Sequence, residues 1–144
     1  MSTSAHDILR HIRVEAQFLA RTISGVSAEN FGRDEVLMRA CVRSIEVIGE
    51  ATKRLPDSIR LKYPDVEWKN MAGMRDRLIH DYFGVDYELV YDVAQNRAAG
   101  LALQIDRINH RIRRLPRARL VRGTSRAIVN ADHFNVWRLY HHAS

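Results

Sequence analysis

Apolar residues recur every three or four positions along most of the first 115 residues, and this spacing predicts long amphipathic α-helices. The first such segment runs from about Ser4, a suitable N-cap, to Ile23. Its apolar stripe consists of Ile8, Ile12, Ala16, Leu19 and Ile23. With only 7 Gly and 3 Pro among 144 residues, the chain has too few turn residues for many short strands. The predicted fold class is therefore all-α, an antiparallel bundle of four to five helices.

Three further long helices are predicted, at residues 34–55, 67–82 and 86–114, with a short helix or turn between Pro56 and Pro64. The helix at residues 34–55 carries apolar residues on two neighbouring lines, which suggests contact with more than one helix. Gly49 lies inside it and indicates a close approach of another backbone. Gly25 and Gly84 are plausible stops, and Pro116 ends the last helix. The wide apolar faces also favour dimerisation through helix faces.

The remaining composition limits the classes of protein that the chain can represent. No apolar run approaches the ~18 residues of a membrane span, and the N-terminus lacks a basic region followed by an apolar one. The single cysteine, Cys41, cannot form an internal disulfide, which fits the reducing cytoplasm. His133, His141 and His142 lack the Cys or acidic companions of a zinc pattern. We therefore predict a cytoplasmic protein with no metal and no cofactor.

Positive charge is concentrated at the C-terminal end of the sequence. Residues 1–105 hold 14 basic and 15 acidic side chains, whereas residues 106–144 hold 9 basic and 2 acidic ones. We predict a helical domain at residues 1–115 and an arginine-rich extension at 116–144, with one short helix around Trp137. Such a field attracts polyanions, above all nucleic acid, although a solvated extension is equally compatible with it. The candidate RNA-binding residues are Arg77, Arg111, Arg113, Arg114, Arg117 and Arg119.

An arginine lies on the apolar side of the predicted third helix. At ~100° per residue, Trp68, Met71 and Leu78 fall within roughly 60° of a line through Arg75. Because a guanidinium stays charged, an unpaired core position is improbable. Three explanations remain open: an ion pair with Glu46 or Glu50, a head group that reaches solvent, or a phosphate site in a cleft.

A carboxylate and an imidazole follow on the same helix. Asp76 and His80 are four residues apart, so the carboxylate could orient the imidazole, although many such pairs are surface contacts. His80 is also ~140° from Arg75 on a straight helix. Either the last turn is distorted near Asp81, or a partner subunit brings a second Arg and His to the same place.

The segment RDRLIHDY at residues 75–82, in the pattern Arg, four residues, His, one residue, Tyr, resembles the signature of the HepT-like ribonuclease toxins. These toxins form a DUF86-type family of the HEPN superfamily. The segments SIEVIGEATKRL at 44–55 and YPDVEW at 63–68 are similar to the family's second helix and to its approach to the signature. The likeness covers about residues 5–113, and the extension after Pro116 exceeds the usual family length.

The resemblance implies a HEPN-type bundle, a homodimer with a composite cleft, and metal-independent cleavage of RNA. It also implies a type VII-like toxin–antitoxin pair, in which a minimal nucleotidyltransferase neutralises the toxin by AMPylation of the motif tyrosine, here Tyr82. The residue chemistry agrees, since His80 can serve as general acid or base, Arg75 can hold a phosphate, and Asp76 can orient His80 or its partner. Two alternatives remain: a non-catalytic helical subunit that binds nucleotide or docks and regulates a nucleotidyltransferase, and a nucleic-acid binder that acts through its basic tail.

Overall fold

A computed structural model describes residues 3–80 and 84–114, and within them it contains seven α-helices and no strand. The helices are α1 (Ala5–Ile23), α2 (Ala28–Arg33), α3 (Glu35–Arg54), α4 (Asp57–Lys62), α5 (Trp68–His80), α6 (Tyr87–Asn96) and α7 (Ala98–Arg114). This architecture confirms the all-α fold class. The described part of the chain has no helix long and apolar enough to cross a membrane.

The first two long helices begin and end where the sequence predicts, because each has the capping residue that the prediction relied on. The Ser4 side chain accepts a hydrogen bond from the backbone N–H of Asp7 at the start of α1. The Asp34 side chain does the same for Leu37 at the start of α3. Gly25 follows α1 with a φ of 75°, a left-handed conformation that glycine adopts without strain.

Helix α1 packs against α3, α6 and α7, and α5 packs mainly on α3. The predicted stripe of α1 is entirely buried, and the core also contains Cys41 of α3, Val90 of α6 and Ile105 of α7. Polar contacts fix the same pairs of helices, since Ser44 Oγ donates to Glu15 (2.7 Å) and Arg13 Nη1 donates to Asp106 (2.8 Å). Burial raises the pKa of the Cys41 thiol to about 11.

The predicted helix over residues 86–114 is interrupted at Arg97, where φ is −116°. Its two parts bury different lines, with Leu89, Val90, Val93 and Ala94 in α6 and Ala98, Ala102, Ile105, Ile108 and Asn109 in α7. Leu101 and Ile112, which the uninterrupted stripe places in the core, are only half-buried. The break lets each part turn its own apolar face toward α1.

The short helix α2 is an element that the periodicity does not reveal. Ser27 caps it by accepting a hydrogen bond from Asn30 N–H. Its one buried residue, Phe31, contacts Tyr91 with ring centroids 5.3 Å apart. Six residues are too few for an apolar period to be recognised, so its only sequence signal was the cap.

Candidate functional site

A cleft of about 390 Å³ opens between α1, α3 and α5, and Arg75 is one of its walls. Its lining comes from Thr3 and from residues of the three helices. These are Ile8 and His11 of α1, Arg43, Glu46, Val47, Glu50, Ala51 and Arg54 of α3, and Arg75 and Ile79 of α5. Its charged walls include three arginines and two glutamates, so the fixed charges leave an excess of one positive charge. Such a cleft favours an anion.

Arg75 lies beside the buried face of α5 rather than at its centre. The buried residues are Trp68, Met71, Met74 and Leu78. The middle of that face is ~45° around the helix from Arg75, because Met74 is buried while Ile79 is 42% exposed. The arginine is thus at the edge where the core meets the cleft, and its side chain stays 26% exposed.

Two carboxylates hold the guanidinium of Arg75. Its Nη2 is 3.3 Å from Glu50 Oε2 on α3, and its Nη1 donates to Asp76 Oδ1 at 3.0 Å on its own helix. Glu50 also pairs with Arg54, and Asp76 also accepts a hydrogen bond from Lys53. The Lys53 and Arg75 hydrogen bonds lower the pKa of the Asp76 carboxyl, so this carboxyl stays ionised at neutral pH.

The close approach that brings these groups together depends on Gly49. A Cβ atom at this position would lie 2.2 Å from Arg75 Cβ and 2.8 Å from the Met71 carbonyl oxygen. Glycine is therefore required for α3 and α5 to pack at this distance. The expectation of a close backbone approach at Gly49 is confirmed.

Of the three explanations for Arg75, the ion pair and the solvent-exposed head group both occur in the structure. The third, a phosphate site in a cleft, is compatible with it. The guanidinium is paired with Glu50, one of the two expected acids, while Glu46 pairs with Arg43 instead. The head group is also partly exposed, and an open cleft lies beside it.

His80 is the last residue of α5 and is exposed. It does not line the cleft, and α5 remains helical up to it, so the ~140° separation from Arg75 persists within this chain. The Asp76 carboxylate bonds Lys53 and Arg75, and no hydrogen bond between Asp76 and His80 occurs in the described part of the chain. The structure thus brings Arg75 and Asp76 together and leaves His80 apart from them.

The other predicted site residues lie elsewhere. Arg77 is exposed on α5, and Arg111, Arg113 and Arg114 are exposed at the end of α7. Tyr82, Arg117, Arg119 and the possible helix around Trp137 lie outside the described residues. Among the described residues, no group of three His, Cys, Asp or Glu side chains is placed to hold a metal ion.

Sequence reasoning missed three cationic or titratable walls of the cleft. His11, Arg43 and Arg54 line it together with Arg75. His11 is exposed and Arg43 and Arg54 each have an i,i+3 or i,i+4 acidic partner, so their local sequence is typical of a solvated helix surface. Only the packing of three separate helices shows that they share a cleft.

Residues 12–108 match the family model described as "Ribonuclease HepT-like". The chain is 47% identical over 100 residues to "Putative RNase TTE0752" of Caldanaerobacter subterraneus, which covers 69% of this chain and 89% of that relative. It is 39% identical to "Putative RNase MJ0127" of Methanocaldococcus jannaschii, over 72% of this chain and 82% of that relative. It is 31% identical to "Probable ribonuclease HepT" of Thermococcus cleftensis, over 75% and 98% of the two chains. No solved structure shows a significant match.

Proposed function

The chain belongs to the ribonuclease HepT-like family, and on that premise we propose that it is a metal-independent endoribonuclease acting in the cytoplasm. The observation that carries the proposal is the guanidinium of Arg75, 26% exposed at an open cleft and held by carboxylates from two helices. The direct test is incubation of the purified protein with bulk RNA or tRNA. Shortened RNA supports the proposal, and intact RNA rejects it.

RNA can be cut without a metal because its own 2′-OH is the nucleophile. The enzyme must remove the proton of that hydroxyl, protonate the leaving 5′-oxygen and stabilise charge on the phosphoryl oxygens. An imidazole, with a reference pKa of about 6.5, can perform both proton transfers near neutral pH. In our proposal His80 is this general acid or base, Arg75 binds the phosphoryl oxygens, and Asp76 positions Arg75.

A homodimer would bring the two catalytic groups to one phosphodiester. Arg75 and His80 lie on different sides of α5, because the chain is α-helical from one residue to the other. The exposed position of His80 at the helix end leaves it accessible to a second subunit. In the proposed dimer, two copies of each residue flank a composite cleft, and the two imidazoles can take the acid and base roles.

The proposed substrate surface extends beyond the cleft to the basic residues of the chain. Arg77 on α5 and Arg111, Arg113 and Arg114 on α7 are exposed and suited to phosphate contacts. Arg117 and Arg119 belong to the proposed extension at 116–144, which would follow a bundle domain at 1–115. These contacts would add affinity without selecting a base sequence.

We further propose that a cognate minimal nucleotidyltransferase acts as the antitoxin and transfers AMP from ATP to the Tyr82 hydroxyl, with release of pyrophosphate. Tyr82 follows His80 by two residues, so the adduct would bring bulk and negative charge close to the catalytic imidazole. A substrate phosphate would then be repelled, and cleavage would stop. The protein and its nucleotidyltransferase would form a type VII-like toxin–antitoxin pair.

A Tyr82→Phe variant is expected to keep most of its RNA cleavage and to escape inhibition by the nucleotidyltransferase with ATP. Phenylalanine preserves the ring but removes the acceptor hydroxyl. The matched control is Tyr87→Phe, which changes another tyrosine, 37% exposed, and should remain inhibited. Mass spectrometry measures the transfer of AMP to each protein, and a cleavage assay measures its ribonuclease activity. Inhibition that persists in Tyr82→Phe would reject this form of regulation.

A further inference from the structure

A second cavity, separate from the cleft, lies between α1 and α7. Its volume is about 70 Å³, a little more than twice the roughly 30 Å³ that one water occupies in the liquid. A cavity of this volume can hold a small polyatomic anion. Arg10 and Arg13 of α1 and Arg113 of α7 form much of its wall.

The charges around this cavity do not cancel. Among the described residues its only lining carboxylate is Asp106, which accepts a hydrogen bond from Arg13 Nη1 at 2.8 Å. Arg113 Nε donates a hydrogen bond to His6 Nε2 at 3.1 Å and is not paired with a carboxylate there. Arg10 is 3.7 Å from Asp7 in a pair whose side chains are 55% and 42% exposed, and such pairs are weak. The cavity therefore retains a positive potential.

Two buried polar atoms of the cavity residues have no hydrogen-bond partner in the described part of the chain. They are Nε of Arg13 and Oδ1 of Asn109, and Asn109 as a residue is only 7% exposed. Buried polar groups are nearly always paired, so each of these atoms has hydrogen-bonding capacity that a bound water or ligand would satisfy. Arg13 Nε is a donor, and the Asn109 amide can present either its oxygen or its NH₂ group to a ligand.

We propose that this α1/α7 cavity binds a phosphate group of the RNA backbone, at a position remote from the scissile bond. This inference rests on the proposed function for its choice of RNA. The cavity and the cleft are lined by adjacent residues of α1: Arg10 lines the cavity, and His11 lines the cleft. A strand held at Arg75 would reach the cavity by crossing α1, a helix about 10–12 Å in diameter. Arg111 and Arg114 extend the same basic end of α7.

The test measures binding of the full chain to short, labelled 2′-O-methyl RNA, which cannot be cut because it has no 2′-OH nucleophile. We expect the double variant Arg10→Gln/Arg113→Gln to bind about 10-fold more weakly by fluorescence anisotropy. The slope of log K against log salt concentration should fall by about 0.7 for each RNA phosphate that the variant no longer neutralises.

The matched control is Arg33→Gln/Arg39→Gln, which removes the same charge from α2 and α3. These arginines are 75% and 74% exposed and pair with Glu29 and Glu35. The control should bind within about twofold of the unaltered protein, since neither arginine lines the cleft or the cavity. Equal weakening by both double variants would overturn the proposal, because the effect would then be one of net charge alone.

A second arm separates RNA from free phosphate as the source of the ligand. Inorganic phosphate is titrated while the Asn109 side-chain amide is followed by NMR. A phosphate-dependent shift together with unchanged RNA affinity in Arg10→Gln/Arg113→Gln would overturn the RNA assignment. Weaker RNA binding by that variant, with unmodified RNA left intact by the unaltered protein, would reject the nuclease and support the subsite. Cleavage of RNA with no specific loss of binding would reject the subsite alone.

Discussion

A His80→Ala variant is expected to lose RNA cleavage by roughly 10²- to 10⁴-fold while remaining folded. This is the usual contribution of a positioned general acid or base. His80 is exposed at the end of α5, so its removal leaves the core untouched. The measurement is the initial rate of cleavage of a labelled RNA, with the thermal unfolding midpoint recorded for the same preparation. An unfolding midpoint within a few degrees of that of the unaltered protein establishes that the loss is chemical.

The comparison variant is His11→Ala, because His11 is the imidazole that lines the cleft with Arg75. We expect a loss of less than about 10-fold, as for a residue that contacts substrate without transferring a proton. The reverse order, with His11→Ala inactive and His80→Ala active, would contradict the assignment of His80. In that case His11 would transfer the proton, and the reaction would take place in the cleft of a single chain.

A Gly49→Ala variant is expected to be destabilised by about 2 kcal/mol. Alanine gains about 1 kcal/mol over glycine in a helix, but its Cβ would lie 2.2 Å from Arg75 Cβ and 2.8 Å from the Met71 carbonyl oxygen. Relief of such overpacking costs up to about 3 kcal/mol, because α3 and α5 must separate. The unfolding midpoint should fall by roughly 5–10 °C.

Cleavage should fall as well in Gly49→Ala, since the same separation moves Arg75 away from Glu50. The matched control is Gly73→Ala on α5, where an added Cβ meets nothing within 4 Å. This variant should gain about 0.5–1 kcal/mol from helix propensity alone. Denaturant unfolding compares the three proteins. If Gly49→Ala were as stable as Gly73→Ala, α3 and α5 would not pack as closely at Gly49 as described above.

The sequence predicted those parts of the fold that depend on local signals. Ser4 and Asp34 cap their helices, and Gly49 marks a close approach, because each effect follows from one residue and its neighbours. The break at Arg97 was missed because the apolar spacing of α6 and α7 continues across it. Whether such a helix stays continuous depends on the faces that its two parts present to α1, a tertiary property.

The candidate site was only partly predictable for the same reason. The sequence shows Arg75 as a charged residue among the apolar residues of α5, and it offers Glu46 and Glu50 as partners, of which Glu50 forms the pair. The choice between Glu50 and Glu46 depended on how α3 packs on α5. The α1/α7 cavity joins Arg10 to Arg113, residues that are distant in sequence, so no local pattern could reveal it.

The proposed function depends above all on a reaction in which RNA supplies its own nucleophile. Arg75 stabilises charge on the phosphoryl oxygens, and His80 transfers the protons. The most direct measurement is identification of the new RNA ends, by mass spectrometry, after cleavage in excess EDTA. We predict undiminished cleavage and 2′,3′-cyclic phosphate ends with 5′-hydroxyl partners. Loss of cleavage on chelation, or products with 3′-hydroxyl and 5′-phosphate ends, would contradict the mechanism.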